Sequence, residues 1–241
     1  MSAHRRTYPD ATGAAEACGA HILALLETAL SGEGDATLAL SGGATPKPMF
    51  EYMARARFDW SHVQIFWVDE RAVPPNHEQS NYRLIDEHLL GPGRVPHRNV
   101  HRVYGELPPA QAAKRYEAEL IESLDISAED LPHFDVIHLG IGADAHTASL
   151  FPGEPLIDDR EKLVAAVYVQ KIPQWRITLL PGVLLAARHV AVLVAGEDKG
   201  PALQHVFHGA YAPREFPAQI IAHHARNATW FLDAAASQSL E

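Results

Sequence analysis

Short, almost wholly apolar runs alternate along this chain with longer segments whose apolar residues recur at helical spacing. That rhythm predicts strands and helices in turn. Apolar positions repeat at helical intervals from Ala14 to Leu30, and Ser31-Gly32 supplies a stop. ATLAL at Ala36–Leu40 reads as a buried strand, Lys47–Ala56 as a helix, and VQIFWV at Val63–Val68 as the next strand. Ser80 is placed to cap a helix over Asn81–Leu90. Later strands are expected around Val100–Val103 and at Val136–Leu139, Leu163–Val169, Arg176–Leu179, Val190–Val194, Ala218–Ala222 and Thr229–Leu232. Pro109–Ser123, Pro181–Ala187 and Pro201–Phe207 read as helices. Alternation of this kind implies an α/β fold, with a largely parallel sheet covered on both faces. The stretch from Leu156 to Pro181 is expected to add a small antiparallel element. With no internal repeat or low-complexity tract, residues 1–241 are expected to form one domain.

Composition narrows the function classes. A formal net charge of −10 argues against nucleic acid or an anionic membrane as partner, so an anionic ligand needs a local cationic pocket. The single cysteine, Cys18, excludes an internal disulfide and a cysteine-based metal cage, and its place on the first helix reads as packing. The amino terminus shows no secretory signal and no apolar run approaches membrane-spanning length, so a cytoplasmic protein is expected. Fifteen histidines invite a metal site, but His97/His101, His205/His208 and His223/His224 lie in no HExxH frame. Neither metal nor cofactor is expected.

Chemistry concentrates in the turns that follow the strands. HLGIGADAHTASLFPG, His138–Gly153, presents Asp144, His146 and Thr147 after the strand VIHL. A histidine at a strand's carboxyl end is the side chain best suited to move a proton near neutral pH. His138 itself alternates with Ile137 and Leu139 inside the strand, which favours a structural role. Gly140–Ala145 also fits a loose GxGxx[GA] dinucleotide pattern, but Phe151-Pro152-Gly153 interrupts the long helix that pattern demands. Ser41, Gly42, Gly43 and Thr45 form a turn into a helix, where the backbone can approach an anion. A plain strand-to-helix connection would need similar glycines. Arg71 in Asp69-Glu70-Arg71 and Lys199 in GEDKG follow two further strands, and Arg176 lies on a later one. Each alone fits an ordinary surface cation; together they suit a phosphate or carboxylate. Ser149 lacks a GxSxG elbow and an evident base, which disfavours serine-nucleophile chemistry.

LSGGATPKPMFEYMA, FWVDERAVPPNHEQSNYRL, FDVIHLGIGADAHTASLFPG, WRITLLPGVLLAARHVAVLVAGEDKGPAL and WFLDAAA together resemble, in their order, the 6-phosphogluconolactonases, grouped with the glucosamine-6-phosphate deaminases. The resemblance implies a Rossmann-like sheet and hydrolysis of 6-phospho-D-glucono-1,5-lactone. His146 would be the catalytic histidine, and Asp144 or a nearby backbone carbonyl is placed to set its tautomer. Ser41, Gly42, Gly43, Thr45, Arg71, Arg176 and Lys199 would surround the substrate phosphate. A small-molecule sugar phosphate is the expected partner, and a monomer or weak homodimer the expected state. The alternatives are a deaminase-like enzyme or a non-catalytic sugar-phosphate-binding protein. The deaminases place a glutamate where this chain has Phe151. The family's usual DGHT is Asp144-Ala145-His146-Thr147 here, which is strained if residue 145 must be left-handed.

Overall fold

Strands without a polar face need cover on both sides, and the central strands here expose no residue to solvent. The computed structural model describes residues 4–32, 34–127 and 129–240. In chain order its strands are β1 (His4–Tyr8), β2 (Ala36–Leu40), β3 (Val63–Trp67), β4 (Asp69–Arg71), β5 (Val100–His101), β6 (Val136–Leu139), β7 (Val164–Val169), β8 (Gln174–Leu179), β9 (His189–Val194) and β10 (Ala228–Asp233). Seven form a parallel sheet in the order β1-β10-β9-β6-β2-β3-β5, and β4-β8-β7 form a small antiparallel sheet. One contiguous core takes side chains from both sheets.

The order of the large sheet decides where a ligand can sit. The chain runs outward from β2 through β3 to β5, then returns to β6 and runs outward the other way to β9 and β10. Its direction therefore reverses between β2 and β6, where Leu38 pairs with Val136 and Leu40 with His138. Parallel sheets leave a crevice beyond the strands' carboxyl ends at such a reversal. The turns after β2 and β6 both open into it.

The expected helices over Lys47–Ala56, Pro109–Ser123, Pro181–Ala187 and Pro201–Phe207 are present as Lys47–Arg55, Pro109–Ser123, Pro181–Ala186 and Gly200–His208. The first helix runs from Ala11 to Leu30, because the Asp10 carboxylate accepts from the Gly13 N–H at 2.8 Å and caps it. Ser80 caps as expected, but the helix it starts covers Asn81–Ile85 and widens over Asp86–Leu90, where the Gly91 N–H reaches back to the Asp86 carbonyl. The strand at Val100–Val103 is confined to Val100–His101.

Three elements differ in kind. Asp69-Glu70-Arg71, expected as a turn, is the strand β4. Val68 makes the transfer: its N–H donates to Leu40 of β2 at 3.0 Å, while its carbonyl accepts from Leu179 of β8 at 2.8 Å. The buried Tyr116 hydroxyl, bonded to both the N–H and the carbonyl of Trp67, helps peel the chain away from the large sheet. Ala218–Ala222, expected as a strand, starts the helix Gln219–His224. A five-residue apolar run does not separate the two periods. The buried Gln219 carboxamide accepts from the Ala212 N–H at 2.7 Å and donates to the carbonyls of His205 and Ala210, which fixes the helical entry. Finally, HRRTY forms β1, paired with β10 from His4↔Thr229 to Tyr8↔Asp233. It is a charged, solvent-facing edge strand and carries no buried-strand signature.

Candidate active site

The β6 turn is built around the His146 ring. The Gly142 N–H donates to the His146 carbonyl at 2.9 Å, and the Ala145 N–H to the Gly142 carbonyl at 2.9 Å. Only a glycine fits at 142, because a Cβ there would strike the imidazole Nδ1 and the Asp144 carboxylate. Asp144 Oδ1 lies 2.6 Å from His146 Nδ1 and also accepts the His146 backbone N–H at 3.2 Å. An ionised carboxylate only accepts, so Nδ1 carries a proton, and in the neutral ring Nε2 is the nitrogen with the lone pair. Phe151 stacks on the imidazole, with centroids 4.2 Å apart and planes 23° apart. A Thr147–Leu150 bridge follows the turn in place of the helix that a dinucleotide site requires.

The Asp144 carboxyl is held well below the usual carboxylate range. The His146 hydrogen bond is the main cause, burial opposes it, and the ammonium of Lys171 adds to it. Farther along, Ser149 is buried and its hydroxyl donates to Asp69 Oδ2 at 2.7 Å, which ties the turn to β4. That contact, with Ser149 fully buried, gives its hydroxyl a structural partner.

Ala145 adopts φ 62°, the left-handed conformation, and is fully buried. Its carbonyl accepts from the Ala218 N–H at 2.9 Å, so the helix Gln219–His224 backs the strained residue. Left-handed alanine costs about 1–2 kcal/mol. A glycine would relieve that, but would forfeit a buried methyl worth about 0.8 kcal/mol and backbone entropy of about 0.5–1 kcal/mol. Ala145→Gly is therefore expected to move unfolding stability by less than about 1 kcal/mol. Ala145→Val, β-branched at positive φ and with no room, is expected to cost about 2–4 kcal/mol. Urea melts of the two variants measure both. Equal stability of Ala145→Val and wild type would contradict the conformation.

The other candidates converge on the same crevice. A cleft of about 280 Å³ is lined by Ser41, Gly42, Gly43, Thr45, Arg71, His146, Arg176 and Lys199 together. After β2, the Ser41 N–H donates to the His138 carbonyl at 3.2 Å, and Gly43 takes φ 108°, which turns the chain towards the helix Lys47–Arg55. Arg71 and Arg176 face each other across β4 and β8. The Arg71 guanidinium donates to the Gln79 carbonyl at 2.6 Å. Both Nε atoms and the Ser41 hydroxyl are buried without a partner. Burial and the neighbouring Arg71 charge lower the Arg176 guanidinium's affinity for its proton, against the pull of Asp69 and Glu70. Like charges directly opposite across strands are unfavourable unless an anion joins them. Lys199 stands at the opening of the helix Gly200–His208, its Nζ 3.0 Å from Asp198 Oδ2.

Glu70, which precedes Arg71 on β4 and pairs with Ile177 of β8, points away from the cleft into a ring of donors. It accepts the N–H groups of Asn81 and Tyr82 at 2.7 Å and of Arg71 at 2.8 Å, and the Ser80 hydroxyl at 3.2 Å. Burial pushes its carboxyl up, and those backbone bonds pull it back. The acid thereby fixes the loop after Arg71 to the helix start, which the triplet Asp-Glu-Arg does not reveal in sequence.

Two cleft residues, and a third that reaches Asp144 from outside the lining, escape sequence reasoning. His138, which alternation assigns to structure, also lines the cleft; burial pushes its imidazole down to about 4, and neither ring nitrogen has a partner. Asn81 donates to the Asp69 carbonyl at 2.8 Å and leaves its Oδ1 unpartnered, signalled only by a polar residue at a buried first helical position. Lys171, on the hairpin between β7 and β8, reaches Asp144 Oδ2 at 2.6 Å across 27 residues of sequence, and no local pattern marks it.

A family described as glucosamine-6-phosphate isomerases/6-phosphogluconolactonase matches residues 9–230. A 6-phosphogluconolactonase of Synechocystis is 37% identical over 213 residues, 88% of each chain. One from Nostoc is 37% identical over 220 residues, covering 91% of this chain and 90% of the relative. The crystal structure of a 6-phosphogluconolactonase from Thermotoga maritima superposes with a TM-score of 0.81 at 28% identity, covering 95% of this chain and 99% of that one. Among the described residues, no helix is long and apolar enough to cross a membrane.

Proposed function

Because the chain belongs to the glucosamine-6-phosphate isomerase/6-phosphogluconolactonase family, we infer that this cleft is where it hydrolyses 6-phospho-D-glucono-1,5-lactone to 6-phosphogluconate. The observation that carries the assignment of residues is one cleft holding two things: a like-charged pair, the buried Arg176 opposite the half-buried Arg71, and an imidazole oriented by a carboxylate.

In this reading the substrate phosphate lies between Arg71 and Arg176, with Lys199 and the Ser41–Thr45 turn supplying further donors. The dianion relieves the repulsion between the guanidiniums and gives their free N–H groups a partner. Lactone binding at that distance from the reacting bond positions the ester carbonyl. His146 Nε2 takes a proton from a water that attacks the carbonyl carbon, and the C–O bond to the ring oxygen breaks as the tetrahedral intermediate collapses. The imidazolium then returns its proton to that oxygen, so the enzyme ends as it began. Asp144 keeps Nδ1 protonated throughout and stabilises the transient positive charge. Phe151 has no proton to move and stacks on His146, which removes the deaminase-type proton shuttle from that position. A single domain over residues 1–241, acting on a small molecule, is part of the proposal, supported by the shared core.

The assay generates the lactone in situ from glucose 6-phosphate and follows its loss against the spontaneous rate. Catalysed loss is expected, and the same sample given glucosamine 6-phosphate is expected to release no ammonia. Lactone loss at the spontaneous rate would overturn the reading.

A further inference from the structure

Asp144 holds one cation-capable partner on each oxygen, His146 Nδ1 at 2.6 Å from Oδ1 and Lys171 Nζ at 2.6 Å from Oδ2. Lys171 sits in the turn between β7 and β8, and its neighbour Ile172 lines the cleft. One ammonium thus pins the tip of the small sheet onto the turn that carries the imidazole. Its side chain is 65% exposed, and an ion pair so solvated adds little to stability. Stability is a poor account of why the contact is made.

We propose that Lys171 is a positioning residue for His146: by occupying the second oxygen of Asp144 it fixes the carboxylate on Nδ1 and opposes protonation of the imidazole. The proposal rests on the reading of His146 as the base. Two physical consequences lie behind it. A carboxylate anchored at both oxygens cannot rotate away from the ring, so Nε2 keeps its aim. A lone carboxylate beside an imidazole also favours the imidazolium, which is the spent form of a base, and a cation on the far oxygen offsets that pull. The remaining charged and titratable groups lining the cleft beside His146 are His138 on β6, Asp69 and Arg71 on β4, Arg176 on β8 and Lys199 before the helix Gly200–His208. All five are present alike in wild type and in the Lys171 variants.

Removing the Lys171 charge makes imidazolium easier to form, so the acid limb of kcat/KM moves to higher pH. In Lys171→Met the limb is expected to rise by about half a pH unit, the worth of an exposed pair. The shift should shrink in 1 M salt, where charges are screened within about 3 Å. Lys171→Arg, which keeps the cation, is expected to restore the wild-type limb. The His146 C2–H resonance, titrated without substrate, is expected to move with the limb in Lys171→Met. An unmoved limb, an unmoved resonance, or an equal displacement in Lys171→Arg would each overturn the proposal. A resonance that moves in a chain whose wild type hydrolyses no lactone leaves the positioning role standing and removes the lactonase reading.

Discussion

His146→Ala is expected to lower kcat by about 10²–10⁴-fold, the usual worth of a positioned general base, while 6-phosphogluconate still binds within a few-fold of wild type. The two halves of that expectation come from different parts of the cleft. The imidazole lies at the β6 turn and bonds to Asp144, whereas the arginine pair belongs to β4 and β8. Deleting the ring leaves the Gly142–His146 backbone bond intact, so the turn should keep its shape. Asp144→Asn tests the same unit differently. Its carboxamide can offer N–H to Nδ1, which would move the imidazole proton to Nε2 and remove the lone pair facing the cleft. A loss approaching that of His146→Ala is expected, with folding unimpaired by circular dichroism. Steady-state turnover and calorimetric titration of 6-phosphogluconate measure the two quantities separately. Turnover of His146→Ala within ten-fold of wild type would remove the histidine from the chemistry.

Much of the sheet was legible because β2, β3, β6, β9 and β10 are largely buried on both faces and so read as almost wholly apolar runs. The site was legible at the same places, since the turns after β2 and β6 flank the reversal of strand order. What escaped was whatever long-range contacts decide. Glu70 looks like one member of a solvated charged triplet, yet its donors come from Ser80, Asn81 and Tyr82. The run at Ala218–Ala222 has no period long enough to reveal a helix, and Gln219 settles it through Ala212, His205 and Ala210. β1 is an edge strand held by its pairing with β10, with Arg5 over Phe207 and Arg6 over Phe231, and none of this shows in HRRTY alone. Ala145 is the converse case. Its sequence departure raised the question of a left-handed residue, and φ 62° answers it, with the Ala218 contact showing what holds the strain in place.

The second large effect is expected when the phosphate loses its partners. Arg176 is 8% exposed, its Nε has no hydrogen bond, and it faces Arg71 across the strands. Charge-assisted hydrogen bonds contribute about 1.5–3 kcal/mol each, so Arg176→Ala is expected to lower kcat/KM for the phosphorylated lactone by about 10²-fold. For D-glucono-1,5-lactone, which lacks the phosphate, the same substitution should change kcat/KM by less than about three-fold. Wild type should itself prefer the phosphorylated lactone by at least about 10³-fold, since two guanidiniums and Lys199 all lose their partner. The loss is expected chiefly in KM where the phosphate binds equally well in ground and transition states. Stability gives an independent readout of opposite sign. Without a bound anion, the charged Arg176 is penalised by burial and by the neighbouring Arg71, so Arg176→Ala should leave the melting temperature unchanged or slightly raised. Inorganic phosphate should raise Tm of the wild type by mass action, and much less in the variant. If Arg176→Ala weakens hydrolysis of both lactones alike, the guanidinium acts on the ring or the carbonyl, and the phosphate must be held elsewhere.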